Sequence, residues 1–219
     1  MSTFGLLLAT TWHLTFPVEV CLRKLTSIAA LCSLFLMPAF ARAQEFDAAI
    51  GFGTLTAPSG SVALANGENV TERGGLYPAF SADFIIKHRL GVSGNVAWRA
   101  SRNLYGGILP YRPIFYDFNG IYAPKLGTRA TAEMMAGIGA ESLRFYTPQF
   151  QCSAFSCTNY VSSNHFMGHV GGGLRLYVWG HVFVRPEAHL YLIHNNSEFP
   201  SSQAARFGLS IGYTFAPGF

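Results

Sequence analysis

Residues 181–193 read HVFVRPEAHLYLI. From Val182 onward every second residue is apolar (Val182, Val184, Pro186, Ala188, Leu190, Leu192), and between them stand Phe183, Arg185, Glu187, His189 and Tyr191. Successive side chains leave a strand on opposite faces, so a period of two marks a strand with one apolar and one polar face. The alternation returns in seven further segments: Phe46–Ala57, Leu76–Lys87, Val92–Ala100, Arg112–Tyr122, Thr128–Phe145, His165–Trp179 and Ala205–Phe215, with His181–His194 as the seventh of eight in chain order. A strand that crosses a bilayer at a tilt needs only ~9–11 residues, and each segment is about that long or longer.

The connections order these segments. PSGSVALANGENVTERGG is long, residues 88–91 are short, ASRNLYGGILP is long and APKLG is short. TPQFQCSAFSCTNYVSSN is long, Trp179-Gly180 is short, and NNSEFPSSQ is again longer. Such strict alternation predicts an all-β chain: an eight-stranded antiparallel up-and-down transmembrane β-barrel, with tight turns at one end and long loops at the other. In the last segment Phe207, Leu209, Ile211, Tyr213 and Phe215 share one face, and Arg206, Gly208, Ser210, Gly212 and Thr214 share the other. A soluble barrel would turn the first set inward. Half of the residues are apolar, only 12% are charged and the mean hydropathy is +0.25, which favours the inverted arrangement with the apolar face in lipid. Past the N-terminus no apolar run reaches the ~20 residues of a spanning helix.

The N-terminus carries an address. Arg23 and Lys24 precede the apolar core Leu25–Phe40, and a small-x-small site follows at Ala41-Arg42-Ala43. This is the pattern of a cleavable Sec-type secretory signal over residues 1–43, leaving a barrel domain over 44–219. Residues 1–20 precede a normal signal start and read as an over-called start codon. Loss of residues 1–43 leaves twelve basic and ten acidic residues, so the calculated pI near 9.0 implies no acidic partner. No basic patch with interleaved aromatics points to nucleic acid. Cys21 and Cys32 leave with the signal, and Cys152 and Cys157, five apart in an exported chain, read as a local disulfide.

An eight-stranded barrel is just wide enough inside for its own side chains. Parity turns Asp47, Asp83, Arg99, Asp117, Arg129, Glu133, Glu141, Arg175, Arg185, Glu187 and Arg206 inward, together with His165, His169 and His189. Six acids and five arginines in so narrow a space predict a network of ion pairs that plugs the lumen, because an unanswered charge there is costly. A general porin is disfavoured. His165 and His169 lie about 13 Å apart along a strand and cannot share a metal, so no metal and no cofactor is expected. Gly171-Gly172-Gly173 leads into no helix and relieves crowding inside the barrel.

The closing stretch RFGLSIGYTF resembles the C-terminal strand signal of Gram-negative outer-membrane barrels, although Ala216 to Phe219 extend beyond it. Over residues 44–219 the chain resembles the outer-membrane protein A-like family of small eight-stranded barrels. The resemblance implies a monomer in the outer membrane, in contact with outer-membrane lipid and lipopolysaccharide. It also implies insertion by the barrel-assembly machinery through the final strand. Arg102, Arg112 and Arg144 fall outward near the loop end, where they either pair with lipopolysaccharide phosphates or remain solvated rim charges. The reading of function is a non-enzymatic barrel acting through its loops and lipid contacts, in envelope structure, adhesion or ligand binding. The alternative is a lipid A acyl hydrolase. Lipid A deacylases are also small barrels with an outward His-x-Ser motif and a Glu, and here His194, Ser197 and Glu198 are the candidates. The spacing is His-x-x-Ser, which on a strand turns Ser197 to the opposite face, and Asn195-Asn196-Ser197 is also ordinary turn chemistry.

Overall fold

The structure, a computed structural model, describes residues 45–61, 69–87, 89–152 and 157–215. The expected signal segment and early start therefore lie outside the described residues. Eight long strands follow in chain order: β1 (Glu45–Thr56), β2 (Tyr77–Lys87), β3 (Leu90–Trp98), β4 (Leu109–Tyr122), β5 (Ala130–Cys152), β6 (Cys157–Trp179), β7 (Val182–Ile193) and β8 (Gln203–Thr214). Each pairs antiparallel with its neighbours in the chain, and β1 pairs with β8 from Asp47↔Thr214 to Thr56↔Ala205. The sheet thus closes on itself with no free edge along its length, as a β structure in lipid must.

Burial alternates along every strand in the inverted sense. Asp47 on β1 is fully buried, while its neighbours in the opposite parity, Ile50 and Phe52, are exposed. On β4 Asp117 is buried, and the adjacent Phe118 is 77% exposed. Ile138, Val170, Leu209 and Ile211 continue an apolar belt around the outside. In water this surface would be ruinous; in hydrocarbon it is the favourable one.

Two residues connect β2 to β3, and Gly180-His181 connects β6 to β7. Gly180 takes a φ of +52°, the left-handed conformation that glycine adopts without a steric penalty. The opposite end carries the long loops, where short extra pairings form: Gly60–Ser61 with Asn69–Val70, and Asn103–Tyr105 with the start of β4.

The expected long loop between β5 and β6 is mostly strand. Both strands run 23 residues, and they continue to pair from Phe145↔Val161 up to Cys152↔Cys157, with one irregularity between Tyr146 and Gln151. β4 accompanies β5 only to Phe145, and β7 accompanies β6 only to Met167. Beyond those points no third strand pairs with the hairpin. Phe145, Tyr146, Thr158, Tyr160 and Val161 are good strand residues, and each finds a partner across the hairpin where none was visible in the linear pattern. A disulfide joins Cys152 to Cys157 at the tip.

Because the tip touches no other strand, the double variant Cys152→Ser/Cys157→Ser should leave barrel stability within about 0.5 kcal/mol of the parent. Urea unfolding in detergent micelles checks this, while proteolysis within residues 146–164 should become faster.

Candidate functional site

Strand β7 presents Arg185, Glu187, His189, Tyr191 and Ile193 to the lumen in rising order from the turn end to the loop end, and the interior changes character in the same order. At the bottom the guanidinium of Arg175 on β6 bonds Glu133 on β5 and Asp47 on β1, and lies 2.8 Å from Glu45 and 3.1 Å from Asp83. Arg185 reaches Asp83 at 3.0 Å, Glu133 at 3.1 Å and Glu187 at 3.0 Å, and donates to Ser81 Oγ at 2.6 Å. Arg206 on β8 pairs with Glu187 at 2.7 Å. Two rigid five-donor forks therefore serve five carboxylates from four different strands, a task that suits arginine better than lysine.

Above the forks, His189 Nδ1 meets His169 Nε2 at 2.9 Å, and His169 Nδ1 meets Asn119 Oδ1 at 2.7 Å and Asp117 at 3.3 Å. The two rings stack at 5.1 Å, which leaves little space beside them. A Cβ on Gly171 would lie 2.9 Å from His189 Nδ1 and 3.0 Å from His169 Nε2, and one on Gly173 would meet Arg185. Here the glycine run makes room for the network. Higher still, Leu55, Tyr77, Phe115, Met167, Tyr191 and Ile193 form a buried apolar layer, with the Phe115 and Tyr191 rings stacked at 4.7 Å. That layer interrupts any chain of polar groups along the axis.

Arg129 is not among these groups. It precedes the first residue of β5 and is exposed, on the wall of a polar hollow of about 450 Å³ that opens at the turn end beside Glu45, Tyr177, His181 and Thr214. Extending the strand pattern two residues too far placed it in the lumen. Glu45 takes its place as a lumen carboxylate, and its parity with Asp47 is the signal that would have found it. Arg99 and Glu141 are buried as well, but near the loop end, apart from the Arg175 and Arg185 forks.

At that end the loops supply groups that strand periodicity does not reach. Glu198 from the last loop accepts from Ser163 Oγ at 2.6 Å and Ser197 Oγ at 3.0 Å, and lies 3.1 Å from His165 Nε2. Burial opposes its charge, yet the bonds from Ser163 and Ser197, with His165 beside it, hold the Glu198 carboxyl below its ordinary value. Ser163, His165 and Glu198 do not make a nucleophilic relay. Both Ser163 and Glu198 approach the same ring nitrogen, whereas a relay needs the acid on the other one. Nor is the expected set of His194, Ser197 and Glu198 assembled. Ser197 bonds its neighbour Glu198, and among the described residues no hydrogen bond joins the His194 ring to either.

On the outer wall Arg112 and Arg144 stand directly opposite one another in the β4–β5 register. Arg102 lies 3.7 Å over the Tyr146 ring, and Arg144 lies 4.8 Å over the Tyr160 ring. Tyr146 and Tyr160 are themselves cross-strand partners. Arg112 donates to the Ala100 carbonyl at 3.0 Å. Among the described residues no carboxylate pairs with any of the three arginines. Like charges directly across a ladder repel, and Arg112 and Arg144 stand so placed.

Replacing Arg185 by Met should strip donors from Asp83, Glu133, Glu187 and Ser81 at once. The expected loss is about 3–5 kcal/mol, the usual cost of leaving buried charges unanswered. Urea unfolding followed through the Trp98 and Trp179 fluorescence measures it.

No family model matches the sequence, and no curated protein matches it. Solved structures do match. Neisserial surface protein A superposes with a TM-score of 0.58 at 10% identity, over 78% of this chain and 97% of that one. The attachment invasion locus protein Ail of Yersinia pestis, solved in complex with the heparin analogue sucrose octasulfate, superposes with a TM-score of 0.52 at 13% identity, over 78% of this chain and 98% of that one. At such identities the likeness speaks for the fold. In its fold, this chain is a small eight-stranded β-barrel of the outer-membrane type.

Proposed function

We propose that this chain is a non-enzymatic outer-membrane barrel that conducts poorly and acts through its extracellular loops and its contacts with lipopolysaccharide. The observation that carries the reading is the division of charge between inside and outside. Inside, the arginines and carboxylates answer one another beneath an apolar layer that interrupts any polar path along the axis. Outside, among the described residues Arg102, Arg112 and Arg144 have no acidic partner, and they stand where the loops begin. Guanidinium forks match phosphate geometry, and the outer leaflet of a Gram-negative outer membrane is phosphate-bearing lipopolysaccharide.

The reading includes Sec-type export, with the β8 stretch from Phe207 to Phe215 recognised by the assembly machinery, and a monomeric state. The projecting hairpin has no charged residue from Phe145 to Asn164, which suits adhesion or ligand contact through backbone and aromatic groups. Ail, a barrel of the same fold, carries attachment in its name and was solved with a sulfated polyanion, so sulfated glycans are a second ligand class to set beside phosphates at the arginine patch.

The triple variant R102Q/R112Q/R144Q tests the partner. Co-purifying lipopolysaccharide should fall at least about tenfold, since even modest pairs sum to more than 1.4 kcal/mol. Unchanged retention would remove lipopolysaccharide from the reading, and loss of heparin binding alone would move the patch to sulfated glycans. In planar bilayers the parent should show no stable porin-sized conductance. Mass spectrometry of lipid A from expressing cells should show no lost acyl chain; a loss that disappears in Ser197→Ala would make the chain an enzyme instead.

A further inference from the structure

The polar hollow at the turn end has walls fixed by backbone bonds. On one side the β4–β5 connection folds back on itself. The Leu126 and Gly127 amides donate to the Ala130 carbonyl at 2.9 and 3.2 Å, and the Ala132 amide donates to the Pro124 carbonyl at 3.0 Å. Lys125 pairs with Thr131 as a bridge, and the Tyr177 amide donates to the Arg129 carbonyl at 2.9 Å, which pins the base of Arg129 to β6. On the other side the Thr214 amide donates to the His181 carbonyl at 3.0 Å, and the His181 ring meets the Thr214 carbonyl through Nδ1 at 2.9 Å. A carbonyl only accepts, so Nδ1 carries the proton and the neutral ring offers Nε2 as an acceptor. On the floor the Tyr177 hydroxyl lies 3.2 Å from Thr214 Oγ1 and 3.4 Å from Glu45 Oε1.

Two opposite charges face this hollow without meeting. Glu45 and Arg129 both line it, yet among the described residues no ion pair joins them. Glu45 Oε1 is taken by Arg175 and Tyr177, and among the described residues neither Glu45 Oε2 nor the Arg129 guanidinium has a partner. The two groups attract, but the ladder of β1 with β2 and the bonds of the β4–β5 turn hold their backbones apart. The gap suits a ligand that carries both signs. It needs an anion for the guanidinium fork, with the Lys125 charge on the same wall, and N–H donors for Glu45 Oε2 and His181 Nε2. The rim adds a third requirement. Leu126, Val178 and Trp179 are exposed beside the hollow, and Val178 shares its parity with the outward Leu176, so apolar surface runs from the belt to the mouth.

We infer that this hollow binds the head group of a phospholipid bearing a primary ammonium beside its phosphate, an ethanolamine phosphodiester, from the leaflet at the turn end. The phosphate lies on Arg129, the ammonium donates to Glu45 Oε2 and His181 Nε2, and the acyl chains run outward over Val178 and Trp179. A volume of about 450 Å³ falls within the range of small-ligand sites, ~300–1,000 Å³, and the chains remain in the belt. An exposed tryptophan at this height suits the boundary between head groups and hydrocarbon. A choline head group has no N–H to give to Glu45, and a glycerol head group has no cation, so the hollow selects ethanolamine over both. The inference rests on the reading of the chain as a membrane barrel and is independent of the arginine patch at the opposite end.

NMR of the full chain folded in uncharged maltoside micelles tests the site by titration with dihexanoyl phosphatidylethanolamine. The amide signals of Gly127, Arg129, Thr131 and Gly180 should shift saturably, and that of Gly74 at the loop end should not. Arg129→Gln removes the fork from an exposed side chain and leaves the Arg175 cluster whole, so it should weaken binding about tenfold, the worth of one charge-assisted bond. Phosphatidylcholine and phosphatidylglycerol of the same chain length should each bind the parent about tenfold more weakly. Glycerophosphoethanolamine, the head group without tails, should shift the same amides at lower affinity. Absence of saturable shifts, equal affinity for the lipids, or binding unchanged in Arg129→Gln would each overturn the proposal. Glycerophosphoethanolamine binding as tightly as the lipid would overturn the lipid as the source and leave a soluble phosphodiester as the ligand. Dispersed strand signals throughout separate these results from a failure of the barrel reading itself.

Discussion

The constraint on which the structure depends is that charges inside the wall can be answered only by other side chains inside the wall. Lipid lies outside the strands, and an eight-stranded ring leaves no aqueous channel to screen a stray carboxylate. Arg175 and Arg185 meet this condition by geometry as much as by charge. Each offers a planar fork that bonds carboxylates on several strands at once, so the fork fixes the relative heights of those strands. The close-packed histidines and the glycines beside them then follow, because the remaining volume is only as large as the rings that fill it.

The barrel's outer surface obeys a different rule. Over most of its height it is apolar and featureless, as contact with acyl chains requires. Its exceptions are gathered where the loops begin, in the three arginines and the tyrosines beneath two of them. A like-charged pair placed directly across a ladder is unfavourable in the isolated chain, and in the reading proposed above it becomes favourable when an anion bridges it.

Most of the fold was legible in the sequence because a strand's period of two survives every local substitution. Eight segments, their faces and the alternation of short and long connections could be read directly. What escaped was whatever period does not encode. The upper parts of β5 and β6 carry Asn, Ser and Gln that look like turn chemistry, and only pairing across the hairpin makes them strands. Glu198 comes from a loop, whose side chains have no parity to follow. Arg129 was drawn into the lumen by a strand extended beyond Ala130, while Glu45 was left out by one begun a residue late. The outward direction of Arg112 and Arg144 was readable; that they face one another depends on register, which no single strand reveals.

The partners of Arg175 carry a meaning for assembly. Glu45 and Asp47 lie 130 and 128 residues before it in the chain, on the strand that is joined to its neighbour β8 only when the ring shuts. An open sheet with seven seams formed would hold that guanidinium with part of its coordination missing and two edges unpaired. Closure therefore satisfies the last backbone groups and completes the deepest ion cluster in one event, and a misregistered ring fails on both counts. The charged centre that plugs the finished barrel also acts, during its formation, as a check that the right strands have met at the right height.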